Sequence, residues 1–171
     1  MSYPDDHSQT VKLMIAAHEL GILKDRFRVI DEDEAEPIIK ELEHHFVREP
    51  GRTWWWEAFR EMPNARAGFY DSSGWSRLTR IAPADDSMLW FVVEDDTKFV
   101  LCEGSIDAIV SVIGECESWF EYYIISKAME WLICETHHDV IYALGLEVAA
   151  RLNEIAIHLP EKVRQGHHTN I

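Results

Sequence analysis

The residues best equipped for chemistry lie together at Glu135-Thr136-His137-His138-Asp139. Side chains on an extended strand alternate between faces, so Glu135, His137 and Asp139 would share one of them. Imidazole with carboxylates suits zinc, manganese or iron, and His44-His45 offers a further ligand from elsewhere in the chain. Cys134 adds the alternative of a thiol activated by imidazole. Two features argue against both. Adjacent His137 and His138 must diverge on a strand, and the cluster stands where a hairpin turn is expected. Cys134 alternates with Leu132, which puts it on an apolar face as an inert thiol. A polar turn in which Asp139 or a histidine satisfies backbone donors is the competing reading. No Gly-rich phosphate loop, GxSxG elbow, HExxH pair or dinucleotide fingerprint occurs. We therefore assign no catalytic residue, metal or cofactor, and keep a small metal-dependent or thiol enzyme built on Glu135, His137, His138 and Asp139 as the alternative.

The second group of functional candidates is acidic and aromatic. With 31 Asp and Glu against 16 Lys and Arg the formal charge is −15, which repels nucleic-acid phosphates and favours a basic protein partner. The carboxylates come in runs: Asp31-Glu32-Asp33-Glu34 with Glu36, Asp85-Asp86, Glu94-Asp95-Asp96, and Glu115, Glu117 and Glu121. Runs sharing a face would accelerate encounter with a cation-rich surface, whereas each alone is an ordinary helix start or turn. Trp54-Trp55-Trp56 supplies large anchors, and three adjacent indoles cannot all point the same way, so at least one is expected at a surface or between elements. The expected contact residues are Asp31, Glu32, Asp33, Glu34, Glu36, Asp95, Asp96, Trp54, Trp55 and Trp56.

The elements that must position these residues follow from periodicity. Val11, Met14, Ile15, His18 and Ile22 fit one face of a helix over about 9–20, closed by Gly21. The acidic run, with Pro37 in the first turn, opens a second helix whose buried stripe is Ile38, Ile39, Leu42 and Phe46. Residues 52–60 read as a short third helix, and 68–83 as connection. From Met88 the period changes: MLWFVV, an acidic turn and KFVLC form a β-hairpin. Ser105 caps a helix over 105–113 through Ile106, Ile109, Val110 and Ile113, with Gly114 closing it. Strands follow near 119–125, 130–135 and 140–144, then a helix over 146–157 and a polar tail from about 161. The fold class is α+β: a mostly antiparallel sheet with a β-β-α-β-β-β core and helices packed on one side.

Length sets the scale, since 171 residues suit a single domain. Cys102, Cys116 and Cys134 are odd in number and lack CxxC spacing, so they read as reduced packing residues. The start MSYPDDHSQT has neither a basic nor an apolar leader region, and no apolar run approaches a membrane span. The expected location is the cytoplasm, away from membrane and nucleic acid.

Together, WWWExF at Trp54–Phe59, LWFVVED at Leu89–Asp95 and YYIISKxxEWLICETHHDVIYALG at Tyr122–Gly145 resemble an uncharacterised family of small bacterial proteins, over residues 52–146. The resemblance implies a shared fold and carries no catalytic residues. In general type the chain is similar to immunity proteins that neutralise bacterial toxins. The expected function is that of an immunity protein or antitoxin, occluding a basic toxin domain with carboxylates that steer and aromatics that anchor.

Overall fold

The computed structural model describes residues 8–60, 66–71, 73–85, 87–96, 98–116 and 121–158. The elements run α1 (Gln9–Glu19), β1 (Phe27–Val29), α2 (Glu32–Phe46), β2 (Arg66–Tyr70), α3 (Leu78–Ile81), β3 (Leu89–Asp95), β4 (Lys98–Gly104), α4 (Ile106–Glu115), β5 (Tyr122–Ser126), β6 (Leu132–Glu135), β7 (Val140–Leu144) and α5 (Leu146–Ile157), with 3-10 turns at Trp55–Ala58 and Gly74–Arg77. The strands form one seven-stranded sheet in the order β1-β4-β3-β5-β6-β7-β2, and every pair is antiparallel. The predicted α+β class and its β-β-α-β-β-β core are present as β3-β4-α4-β5-β6-β7. Both β4 and β5 pair with β3, so they run parallel to each other, and α4 makes the crossover between them.

Several expectations change. The segment read as connection contains β2, an edge strand paired with β7, and Phe27–Val29 becomes β1, the opposite edge. Neither carries the long β-branched run that marks a central strand; both exist because a hydrogen-bonding edge was available. The third helix contracts to the 3-10 turn Trp55–Ala58. Its neighbour Phe59 is instead held extended by an isolated bridge to Val47. Residues 119 and 120 of an expected strand, Asp86 and Glu117 of the acidic runs, and the polar tail lie outside the described residues.

Alternation along the central strands divides the core into two layers. Phe91, Val93, Cys102, Tyr122, Ile124 and Ile133 face α1, α3, α4 and α5 on one side. Val92, Leu101, Tyr123, Ile125, Leu132 and Cys134 face α2 and the tryptophan turn on the other. Four of the five helices thus share one side of the sheet, while α2 lies across the opposite face. Ser105 caps α4 as expected, its Oγ accepting from Ala108 N at 3.4 Å. Gly114 sits inside that helix, not after it, and a Cβ there would meet the Trp75 ring at 3.2 Å. Pro37 lies past the first turn of α2, which begins at Glu32.

The largest revision concerns α1. Its core contacts are Leu13, Ala16 and Ala17, while Met14 is 57% exposed and Ile15 is exposed beside it. Met14, Ile15 and His18 of the stripe read from spacing therefore face outward, while Ile22 packs against the core. Gly21, at φ +64°, ends the helix, and Ile22 N bonds Ala17 O at 2.9 Å in the left-handed closure expected of it.

Packing beneath β7 yields a sharp test. A Cβ at Gly74 would stand 2.6 Å from Ile141 Cγ1, well inside contact distance, and Ile141 is fully buried. Gly74→Ala should cost about 1–3 kcal/mol in urea unfolding, as overpacking typically does. The double variant Gly74→Ala/Ile141→Ala should lose less than the sum of the two single changes, because the cavity accepts the added methyl.

Candidate functional site

One end of the sheet collects the C-terminal ends of β3 and β6, the start of β5 and the β6–β7 turn. Here the tryptophan run and the histidine cluster, far apart in sequence, come together around Glu121. This carboxylate is 1% exposed. It accepts from Trp56 Nε1–H at 2.8 Å and from the Tyr123 hydroxyl, and His137 Nδ1 lies 3.0 Å from Oε2. Where the carboxylate is ionised it only accepts, so the hydrogen of that contact is carried by Nδ1. Tyr123 is fixed in turn by the Trp55 backbone N–H, which donates to its oxygen at 3.0 Å. Trp54 packs on His137 with ring centroids 4.9 Å apart, and Trp56 stacks on Tyr142 at 6.4 Å with planes 12° apart.

Burial pushes the Glu121 carboxyl above its ordinary range, against the pull of its three donors and with Glu94 adding to the rise. Glu94 is raised by burial as well. A hydrogen bond from Trp54 and the charge of His137 oppose that rise, and Asp96 reinforces it.

The predicted set Glu135, His137 and Asp139 does not converge. Glu135 ends β6 on the opposite face of the sheet from Glu121, buried, and accepts from the Tyr122 hydroxyl directly across the strand pair. Asp139 takes φ +57° in the turn, and its carbonyl accepts from Asp71 N at 2.9 Å. Thr136 Oγ1, neither Asp139 nor a histidine, receives the turn donors His138 N and Val140 N, at 3.2 and 3.4 Å. His44 and His45 lie at the exposed end of α2, and Cys134 is fully buried. Among the described residues no three His, Cys, Asp or Glu side chains gather as a metal ion would require. Beside Glu135, buried Asp71 pairs with Arg77 at 2.5 Å. Glu135 itself is pushed up to about 7, by burial first, then by the charges of Asp139 and Asp71, with the Tyr122 bond opposing.

Two of the four acidic runs also meet. Asp31 stands at the N-cap position of α2 without a side-chain capping bond, Glu32, Asp33, Glu34 and Glu36 are exposed on its first turns, and Lys98 Nζ lies 3.6 Å from Glu32, tying that helix start to the β3–β4 turn. Asp95 accepts from Ser8 Oγ at 3.4 Å, and Asp96 is exposed at φ +55°. A groove of about 1340 Å³ runs between α1 and α2 along β1 and reaches Glu94 and Asp96. Of the tryptophans, Trp54 is 38% exposed, Trp56 is half-buried and Trp55 is 0% exposed. Trp55 therefore belongs to the core, against Tyr123 and Phe99, and is not available as a contact residue.

Sequence reasoning placed Glu121 in a generic acidic group and missed its role. The signal was its parity with Tyr123, two residues on and hence on the same strand face. For Glu135 the pairing with Tyr122 depends on register, which no local pattern reveals.

Glu121→Ala should destabilise the fold by about 2–4 kcal/mol in chemical unfolding, since it strands three donors in a largely buried place. Trp56→Phe, which removes one donor, should cost less. For Glu135 the sign is opposite to that of a salt-bridged carboxylate. Its folded pKa of about 7 lies above the ordinary 4.5, so the native state holds the extra proton. Its contribution is fullest below pH 4.5 and is lost as pH rises to 7. Glu135→Gln should therefore gain about 2–3 kcal/mol over wild type between acidic and neutral pH. Parallel urea titrations at the two pH values would check this.

Among known proteins, no curated sequence matches the chain. Residues 10–156 match a family of unknown function, DUF6756, a span that extends past the motifs of the sheet to take in α1 and the acidic α2. The chain belongs to this family.

Proposed function

We propose that the chain is an immunity protein or antitoxin that acts in the cytoplasm, binds a basic toxin domain and neutralises it by covering its active site or substrate groove. The observation that carries the reading is the convergence of two acidic segments, Asp31–Glu36 and Glu94–Asp96, on one groove. Six carboxylates and five lysines or arginines line it, but four of the bases are already paired: Arg28 with Glu103, Lys40 with Glu36, Arg52 with Glu49 and Lys98 with Glu32. Among the described residues, no lysine or arginine pairs with Asp31, Glu43, Glu94 or Asp96. Lys24 is the remaining base. The residual charge is negative, and a cationic partner would find it at long range. Trp54, held against His137, supplies an apolar anchor whose indole acts on Glu94, one of those carboxylates. No helix among the described residues is long and apolar enough to cross a membrane.

The direct test is co-expression with the product of the neighbouring reading frame, with growth rescue as the readout. Rescue by wild type is expected, together with association that slows markedly from low to physiological salt, because exposed charges are screened beyond about 8–10 Å. Neutralising Asp31 and Asp96 together should lower the on-rate more than it raises the off-rate, whereas Trp54→Ala should mainly speed dissociation. Absence of rescue by a stably folded wild-type chain would remove the reading.

A further inference from the structure

The groove has a floor that a flat acidic patch lacks: the open edge of the sheet. Ile30 N donates to Leu101 O at 2.9 Å and Ser105 N to Arg26 O at 3.0 Å, so the even-numbered residues of this strand turn their backbone groups toward β4. Phe27 and Val29 must then turn theirs away. The Phe27 N–H is taken by Leu23 O at 3.1 Å. That leaves the Val29 N–H and C=O and the Phe27 C=O directed out of the sheet, with no backbone partner among the described residues. An edge of this kind is a template for another strand unless something covers it.

The walls suit a strand as well. One layer of helices lies on each face of the sheet, so beyond β1 the groove is bounded by α1 on one side and α2 on the other. A strand added there would alternate its side chains between them. On the α1 wall stand Val11 and Met14, the outward apolar stripe that the core does not use. On the α2 wall stand Ile39 and the carboxylates of Asp31 and Glu43. One parity of the incoming strand meets apolar surface, and the other meets apolar surface fringed with negative charge.

We propose that this groove takes an extended segment of the toxin partner, alternating apolar residues with lysine or arginine, as an eighth strand hydrogen-bonded to Val29 and Phe27 along the edge of β1. The proposal rests on the immunity reading and supplies its docking mode: main-chain bonds give affinity, the α1 and α2 walls give side-chain preference, and the four uncompensated carboxylates select a basic strand.

The probe is a short synthetic peptide of alternating lysine and valine, titrated against the intact chain by fluorescence anisotropy. Its backbone N-methylated form and a glutamate–valine analogue are the controls. Saturable binding of the lysine–valine peptide is expected, weakened roughly tenfold or more by N-methylation, as the loss of one or two hydrogen bonds predicts. Val29→Pro should weaken it similarly, because proline removes an outward N–H and leaves the β4 ladder intact. Met14→Lys, at an exposed position, should weaken it through the α1 wall. Equal binding of the N-methylated peptide to wild type would overturn the proposal whether or not Val29→Pro folds, as would binding of the glutamate analogue with equal strength. Self-association of wild type that Val29→Pro abolishes would assign the edge to a second copy and overturn it too. The growth assay separates the two levels: full rescue by folded Val29→Pro defeats strand addition and leaves the immunity reading standing, whereas no rescue by wild type defeats both.

Discussion

A sheet covered on both faces must hide the polar atoms at its ends, and that requirement organises this molecule. Neighbouring residues of β5 point to opposite layers, so Tyr122 and Tyr123 carry hydroxyls into different cores. Each meets a buried carboxylate: Glu135 across the strand pair for Tyr122, and Glu121 two residues back for Tyr123. The carboxylates therefore stand back to back across the sheet. Neither has a lysine or arginine as its bonded partner, and burial raises both. What stabilises them is a set of neutral or imidazole donors, which keeps two acidic groups inside a chain of net charge −15 without drawing scarce bases from the surface.

From that arrangement follows the position of nearly everything at this end. Tyr123 can serve Glu121 only while the Trp55 N–H holds its oxygen, so the tryptophan turn is tied to β5 by a main-chain bond. Trp56 then reaches Glu121, His137 closes over the same carboxylate, and Trp54 is left leaning on the imidazole with part of its ring in solvent. Exposure of Trp54 is thus a product of burial around Glu121. An indole positioned in this way loses little freedom on contacting another surface, the condition under which an aromatic side chain anchors a complex well.

Local pattern revealed the central strands and helices because each writes its period into adjacent residues. LWFVVED and YYIIS are buried on both faces, and α4 and α5 show uninterrupted apolar stripes. The edge strands were not legible, since β1 is three residues long and pairs with residues far along the chain. In α1 the periodicity was real but its direction was inverted: Val11 and Met14 line a groove, and Leu13 with small Ala16 and Ala17 sets the helix against the sheet. The histidine cluster was noticed for its residue types, yet its partner proved to be Glu121 because the turn rotates His137 away from the face of Glu135. Residue type is local information, whereas which carboxylate an imidazole meets is decided by register.

The order of strands also constrains how the chain reaches this state. Strand β1 and strand β2 belong to the N-terminal part of the chain yet occupy opposite edges, clasping a five-stranded sheet made wholly of later sequence. Until residues 98–104 and 140–144 exist, neither edge strand has anything to pair with, and Trp55, Phe59 and the apolar side of α2 have no sheet to cover. During synthesis the leading segment must therefore leave the ribosome with apolar surface unburied. Closure comes late and through contacts of long sequence separation, which makes folding slow for the size of the chain and puts its greatest aggregation hazard before β7 is complete.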